Sequence, residues 1–183
     1  IFKRGVNLLK NLYLICGKSG SGKNYVVEKL HEMYGYKVLC SYTTREPRYE
    51  SDNEHIYKKF FNYLHDKQDD LIATDTYFDG NFYWARKEQL NTSDLYIIDK
   101  KGIEKLKELK YIRPFIVIYI DLDEDKRIEN MKKRGDDNMA IYKRLTNDKN
   151  MFDGIEKLAD FIVNGDNDNK WRTIKNIIDK CEK

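Results

Sequence analysis

Cysteine, histidine and proline are scarce in this chain, at three, three and two residues of 183. Cys16, Cys40 and Cys181 are odd in number and lack CxxC spacing, which argues against a disulfide frame and for reduced packing thiols. His31, His55 and His65 show no metal-ligand spacing. They are expected at the surface or partly packed, and no histidine-centred triad is in view. No apolar run nears the roughly eighteen residues that span a bilayer. The basic, apolar opening from Ile1 to Lys10 lacks both the long hydrophobic region and the small-residue cleavage site of a secretory signal. An excess of one charge is also missing. The 34 Lys and Arg residues oppose 31 Asp and Glu, a net of +3, which is too balanced to recruit nucleic acid or a membrane by field alone. A cytoplasmic protein, monomeric or homodimeric and without nucleic-acid or membrane partners, is the expectation. With 40% hydrophobic residues and no repeat or low-complexity tract, the chain reads as one domain, 1–183.

What the sequence does contain is a buried-strand pattern, Leu12-Tyr13-Leu14-Ile15-Cys16, running into Gly17-Lys18-Ser19-Gly20-Ser21-Gly22-Lys23-Asn24. Glycines at 17, 20 and 22 let the backbone curl with its N–H groups inward. Lys23 adds a point charge, and the helix that starts here adds its positive dipole end. This is a cradle for the phosphates of a nucleoside triphosphate. The pattern fits GxxxxGK[ST] except at its last place, where Asn24 replaces the hydroxyl residue that usually ligates Mg²⁺. An amide oxygen can hold magnesium, as a less usual ligand. The competing explanation is a glycine-rich turn with a chance lysine. Val26, Val27 and Leu30 at helical spacing weigh against it.

Strands are predicted at Leu12 to Cys16, Lys37 to Ser41, Leu95 to Asp99, Phe115 to Asp121 and Phe161 to Asn164. Helical patterns lie between them, at Asn24 to Tyr34, Lys101 to Leu109, Asp123 to Lys133, Met139 to Phe152 and Lys170 to Lys180. Such alternation predicts an α/β fold with a mainly parallel sheet covered on both faces, its ligands beyond the carboxyl ends of the strands. Two regions break the rhythm. Residues 42–90 hold a hairpin signal, Gly80-Asn81 between Ile72 to Phe78 and Phe82 to Ala85, and read as an inserted lobe. Residues 132–144 gather Lys132, Lys133, Arg134, Lys143 and Arg144 around Gly135-Asp136-Asp137-Asn138 and read as a basic lid. The core is then expected in 1–41, 91–131 and 145–183.

Ser41-Tyr42-Thr43-Thr44-Arg45-Glu46-Pro47-Arg48 presents two guanidinium groups three residues apart beside hydroxyls. Such a pair suits a phosphate monoester dianion, though alone it is more often a solvated basic loop. Together with a Gly-Asn-x-Tyr turn at Gly80, an Asp-x-x-Gly step at Asp99 and the basic lid, it makes the stretch from Leu12 to Trp171 resemble the guanylate kinases. Those belong to the nucleoside monophosphate kinases with a P-loop NTPase-type core.

The resemblance implies a donor site for ATP with Mg²⁺ at Gly17, Ser19, Gly20, Ser21, Gly22, Lys23 and Asn24, with Asn164 against the donor purine. It implies an acceptor site for the nucleoside monophosphate (NMP) at Ser41, Arg45, Arg48, Tyr57, Tyr83 and Asp99. Asn24 and Asp99 would serve the metal. Lys23, Arg134 and Arg144 would carry the catalytic charge. The plainer alternatives are a helix cap for Asp99 and solvated helix faces for the two lid arginines. Several positions depart from the family pattern. Ser51 stands at an acidic place, between Glu50 and Asp52. Glu54 replaces a glycine, and an aromatic is displaced to Phe60. Thr74, next to Asp75, stands where a carboxylate reads guanine, and Ala85 behind Trp84 replaces a hydroxyl residue. GMP or dGMP is the first acceptor the resemblance implies, and these changes leave the base open. A catalytically weakened nucleotide-binding or protein-interaction module of the same fold is the second reading, motivated by Asn24 and the altered base pocket.

Overall fold

A computed structural model of the chain describes residues 8–47, 50, 54–109 and 113–183. Arg48, Ser51 and Asp52 lie outside them. Strand β1 (Leu12–Cys16) is wholly buried. It is followed by α1 (Lys23–Tyr34), β2 (Val38–Leu39), β3 (Tyr42–Thr43), β4 (Ile56–Tyr57) and α2 (Phe60–Gln68). Next come β5 (Ile72–Phe78), β6 (Asn81–Arg86), α3 (Lys87–Thr92), β7 (Leu95–Ile97) and α4 (Lys100–Glu108). The chain ends through β8 (Phe115–Asp121), α5 (Glu124–Lys133), α6 (Asn138–Met151), a 3-10 turn at Ile155–Lys157, β9 (Phe161–Asn164) and α7 (Lys170–Cys181).

Five strands in the order β2-β7-β1-β8-β9 form a parallel sheet. Alternate side chains of β1 explain why it is buried throughout. Leu12, Leu14 and Cys16 face a core with Ile103 and Leu106 of α4. Tyr13 and Ile15 face Val26, Val27 and Leu30 of α1 and Trp171, Ile174 and Ile178 of α7. Both faces are therefore covered, and the strand reads as an unbroken apolar run. From β1 the chain crosses by α1 toward β2 on one side, whereas β7 leads through α4 to β8 on the other. The order reverses around β1. At such a switch point the strand ends leave a crevice for ligand.

A second sheet, β4-β3-β6-β5, occupies Tyr42 to Arg86. Its β5–β6 hairpin turns at Asp79-Gly80, both left-handed at φ 46° and 80°. The turn predicted at Gly80-Asn81 is thus one residue early in the chain: Asn81 already opens β6 and donates its Nδ2 to Asp79 O at 2.9 Å. The strand predicted over Lys37 to Ser41 shrinks to Val38–Leu39, because the next residues leave to pair β3 with β6. Helices α2 and α3 escape prediction. Their N-caps are Lys59 and Arg86 rather than Ser, Thr, Asp or Asn. A polar pin joins α2 to the hairpin: buried Asp66 accepts from Trp84 Nε1 and from Arg86 Nε and Nη2, each at 2.8 Å. No helix among the described residues is long and apolar enough to cross a membrane.

Leu14, at 0% exposure in the central strand, generates a test of this layering. Leu14→Ala is expected to lower unfolding free energy by about 2–5 kcal/mol, read by denaturant titration. Ile162→Ala, at a site 54% exposed, should cost less than about 0.5 kcal/mol.

Candidate functional site

Beyond the carboxyl end of β1 the backbone must turn into α1 within six residues, and the glycines make that possible. Gly20 and Gly22 are left-handed at φ 78° and 90°. A Cβ at Gly20 would lie 2.5 Å from Arg127 O, and one at Gly17 would lie 2.8 Å from Ile120 O. Neither place admits a side chain. Within the loop Ser21 N donates to Lys18 O at 3.2 Å. The buried Ser21 hydroxyl has no hydrogen-bond partner among the described residues.

Lys23 folds back over the loop, its Nζ donating to Gly17 O at 2.6 Å and to Lys18 O at 3.1 Å. Burial pushes its ammonium down to about 8, against the opposing pull of the nearby Asp148 charge. Asn24, one residue on, donates Nδ2 to Glu54 Oε1 at 3.0 Å. Two substitutions that stand apart in the sequence thus meet. A cavity of about 660 Å³ opens on this side, lined by Gly20, Gly22, Lys23, Asn24, Arg134 and Lys170 among others.

The other side of Lys23 opens on a cavity of about 390 Å³ between the two sheets, which also takes in Gly17, Ser19, Ser41, Arg45, Tyr83, Asp99 and Arg144. Arg45 donates Nη2 to Tyr57 OH at 3.2 Å and lies over that ring at 5.4 Å. Ser41 Oγ is 2.8 Å from His55 Nδ1, and the His55 ring meets Tyr83 edge-on at 5.3 Å. Asp99 uses both oxygens: Oδ1 caps α4 by accepting from Gly102 N at 2.7 Å, and Oδ2 accepts from Thr76 Oγ1 at 2.8 Å. It is a helix cap and a cavity wall at once. A Cβ at Gly102 would lie 2.6 Å from Ile98 Cγ1, so that glycine lets α4 start close under the strand.

At the far end of this cavity Thr74 Oγ1 and the buried Tyr96 OH share a hydrogen bond of 2.9 Å. The neighbouring Asp75 carboxylate is engaged by Lys105 Nζ and by Tyr63 OH, the latter at 2.7 Å. Burial pushes that carboxyl up, but hydrogen bonds from Lys105 and Tyr63 outweigh it and hold it below the usual range. Asp75 therefore stays ionised and committed to its neighbours. Thr74 and Tyr96 put hydroxyls at this end of the cavity, which the engaged Asp75 also lines.

Arg134 and Arg144, from the basic segment 132–144, share one partner. Arg134 pairs with Asp136, and Arg144 Nε lies 3.3 Å from the same Asp136 Oδ2. Arg134 lines the cavity on the Asn24 side and Arg144 the one on the Arg45 side. Asn164 is not brought in. It sits at the end of β9, its Oδ1 accepting from Asp166 N at 2.9 Å, and it is not among the residues lining either cavity. Reasoning from sequence missed Asp136, Asp148, Arg127 and the role of His55 as a cavity wall. Only Asp136 carried a signal, as an acid between the basic residues of the lid.

The arrangement offers main-chain N–H groups, a half-buried ammonium and three described arginines around two hollows that share Lys23. Such a surface holds polyanions. Asn24 and Asp99 supply hard oxygen donors of the kind magnesium takes. Among the described residues no three His, Cys, Asp or Glu side chains form a metal-ligand group.

No protein-family model and no curated protein matches the sequence. A match among solved structures is the crystal structure of guanylate kinase from Anaplasma phagocytophilum, at a TM-score of 0.65 and 16% identity over 96% of this chain and 88% of that one. The chain therefore has a guanylate kinase-like fold, a parallel sheet flanked by helices of the P-loop NTPase type.

The lowered Lys23 value sets a pH test. An anion that binds the protonated ammonium should lose affinity as the free protein deprotonates, by about tenfold between pH 7 and 9. Calorimetry with inorganic tripolyphosphate measures it, and Lys23→Met should erase the pH dependence. Folding shows the opposite sign. The unfolded chain keeps this proton up to 10.5, so the group's contribution to stability rises from about pH 8 toward that value.

Proposed function

We propose that the protein is an ATP- and Mg²⁺-dependent nucleoside monophosphate kinase that converts NMP and ATP to NDP and ADP. The observation that carries this reading is that Lys23 lines both cavities. One is the glycine-loop side with Asn24 and Arg134, and the other is the side with Ser41, Arg45, Tyr83 and Asp99. A phosphoryl group can then pass from a donor to an acceptor without leaving the reach of one cation. In this reading the four-stranded sheet region, 42–90, is the acceptor lobe. Residues 132–144 are the lid, and the remainder is the core.

An oxygen of the acceptor phosphate, already anionic at neutral pH, attacks the γ-phosphorus. The bond from that phosphorus to the bridging oxygen breaks, and ADP leaves with the electron pair. No general base is required, which suits a site whose histidine only lines the wall. The loop N–H groups and Lys23 hold the donor phosphates. Arg45, with Tyr57 behind it, holds the acceptor phosphate in line. Arg134 and Arg144, released from their shared Asp136, stabilise charge on the transferred group. Asn24, through its amide oxygen, and Asp99 would hold magnesium, which would supply neutralisation of the donor phosphates. The hydrogen bond from Asn24 Nδ2 to Glu54 leaves that amide oxygen as the remaining donor, which supports the assignment. Closure of lid and lobe would exclude water and suppress ATP hydrolysis.

The base end supports a relaxed choice of acceptor. Hydroxyl groups donate or accept equally, and the pairing of Thr74 with Tyr96 offers no fixed negative charge to the N–H edge of guanine. GMP and dGMP remain the first candidates. A second reading, a nucleotide-binding module with weakened catalysis, draws on Asn24 and Asp99 both being engaged by other side chains.

A coupled ADP-release assay over a panel of ribo- and deoxynucleoside monophosphates separates the two. Acceptor-dependent turnover that falls at least 100-fold in Lys23→Ala and in Arg45→Ala, a loss of about 3 kcal/mol, supports the kinase. Nucleotide binding without turnover supports the module. Thr74→Glu is expected to raise kcat/KM for GMP about tenfold relative to the other monophosphates. An unmoved ranking of acceptors would refute the assignment of the base end.

A further inference from the structure

Asp148 lies near the carboxyl end of α6, is buried, and has no part in the mechanism above. Its carboxylate faces the first limb of the glycine loop. Oδ2 accepts from Ser19 N–H at 2.9 Å, and Oδ1 accepts from Ser19 Oγ at 3.1 Å. Arg127 holds it from behind, donating Nη1 to Oδ2 at 3.0 Å, with side chains only 4% and 7% exposed. Arg127 is itself fixed by donation to Leu122 O at 3.2 Å, Ser19 O at 3.3 Å and Glu124 Oε2 at 3.2 Å. One helical turn on, Asn130 Nδ2 donates to Gly20 O at 2.8 Å. The loop is therefore clasped by α5 and α6 together.

A carboxylate and a phosphoryl group use the same N–H and hydroxyl donors. Asp148 thus holds donors of the cradle with an anion of the protein's own. Its position is where that matters most. Asp148, Ser19 and Lys23 line the same cavity as Arg45 and Arg144, and the Asp148 charge is the leading one that acts to keep Lys23 protonated. Lysines of such loops reach the β- and γ-phosphates. A nucleoside triphosphate therefore brings its last phosphoryl group against a buried like charge, whereas a diphosphate ends short of it. Repulsion between two charges a few ångströms apart in a buried setting far exceeds its value in water.

We propose that Asp148 is a specificity-determining residue of the donor site: by occupying the Ser19 donors it stands in for a γ-phosphoryl group, and it biases the site toward diphosphate until α6 withdraws it. The inference rests on the reading of the glycine loop as the donor cradle. It gives α6, which also carries Arg144, a direct tie to the phosphorylation state of the bound nucleotide. Release of Asp148 on ATP binding would shift Arg144 in the same movement.

The test is titration calorimetry of the full chain with ATP and with ADP, each with Mg²⁺. Asp148→Asn keeps the shape and an oxygen for Ser19 N–H while removing the charge. The ratio of ATP affinity to ADP affinity is expected to rise about tenfold in this variant, a difference of about 1.4 kcal/mol, and to stay at the wild-type value in Asp148→Glu. Should the single variant fail to fold because Arg127 loses its counter-ion, the paired replacement Arg127→Met with Asp148→Ala removes both charges from the buried spot. The same rise is expected there. Wild type and folded variants that bind both nucleotides with an unchanged ratio overturn this proposal alone. Failure of the wild type to bind either nucleotide overturns the cradle reading and this proposal with it.

Discussion

The six residues between β1 and α1 constrain everything around them. A strand packed on both faces must end, reverse and begin a helix without exposing its backbone, and only left-handed glycines pressed against Arg127 and Lys170 allow so tight a path. That path leaves the loop amides to be satisfied by something anionic. It also carries Lys23 into a half-buried position, where the loop carbonyls of Gly17 and Lys18 hold it. An ammonium partly removed from water and bound mainly to carbonyl oxygens keeps an unfavourable charge. An incoming polyanion would relieve it.

The surroundings are organised by the same requirement. Three arginines near the loop are each provided with a carboxylate that restrains them: Arg127 by Asp148, and Arg134 and Arg144 by Asp136. These pairs keep the positive groups apart in a small volume where they would otherwise repel. They also preset the side chains at moderate cost, because a partly exposed pair such as Arg144 with Asp136 is worth little and can exchange its carboxylate for a phosphate. The buried Arg127–Asp148 pair is of the other kind. Breaking it leaves a charge without water, so it behaves as part of the loop rather than as surface decoration.

Function-related departures from the family pattern cluster in space. Asn24 and Glu54 are thirty residues apart and hydrogen-bonded, joining the start of α1 to the bend that leads into β4. Thr74 and Asp75, adjacent in β5, point to opposite fates, one to Tyr96 at the cavity end and the other to Lys105 and Tyr63. A carboxylate one place along in the sequence is not a substitute for one at Thr74: Asp75 lines the same cavity, but Lys105 and Tyr63 already engage it.

The glycine loop, the parallel core strands and the helices from α4 onward were legible in the sequence because their signals are local: unbroken apolar runs, helical spacing, and glycines ahead of a lysine. The lobe was legible as a region and a hairpin, whereas its helices α2 and α3 were not, since Lys59 and Arg86 rather than Ser, Thr, Asp or Asn stand at their N-caps and the helices are held by contacts such as Asp66 with Trp84 and Arg86. Residue types alone determined that the chain would carry a glycine loop ahead of a lysine, and an arginine-bearing loop. Which carboxylates restrain which cations, and that Asn164 stands apart from both cavities, was decided only by tertiary structure. The energies of those pairings depend on burial and distance, which no linear spacing encodes.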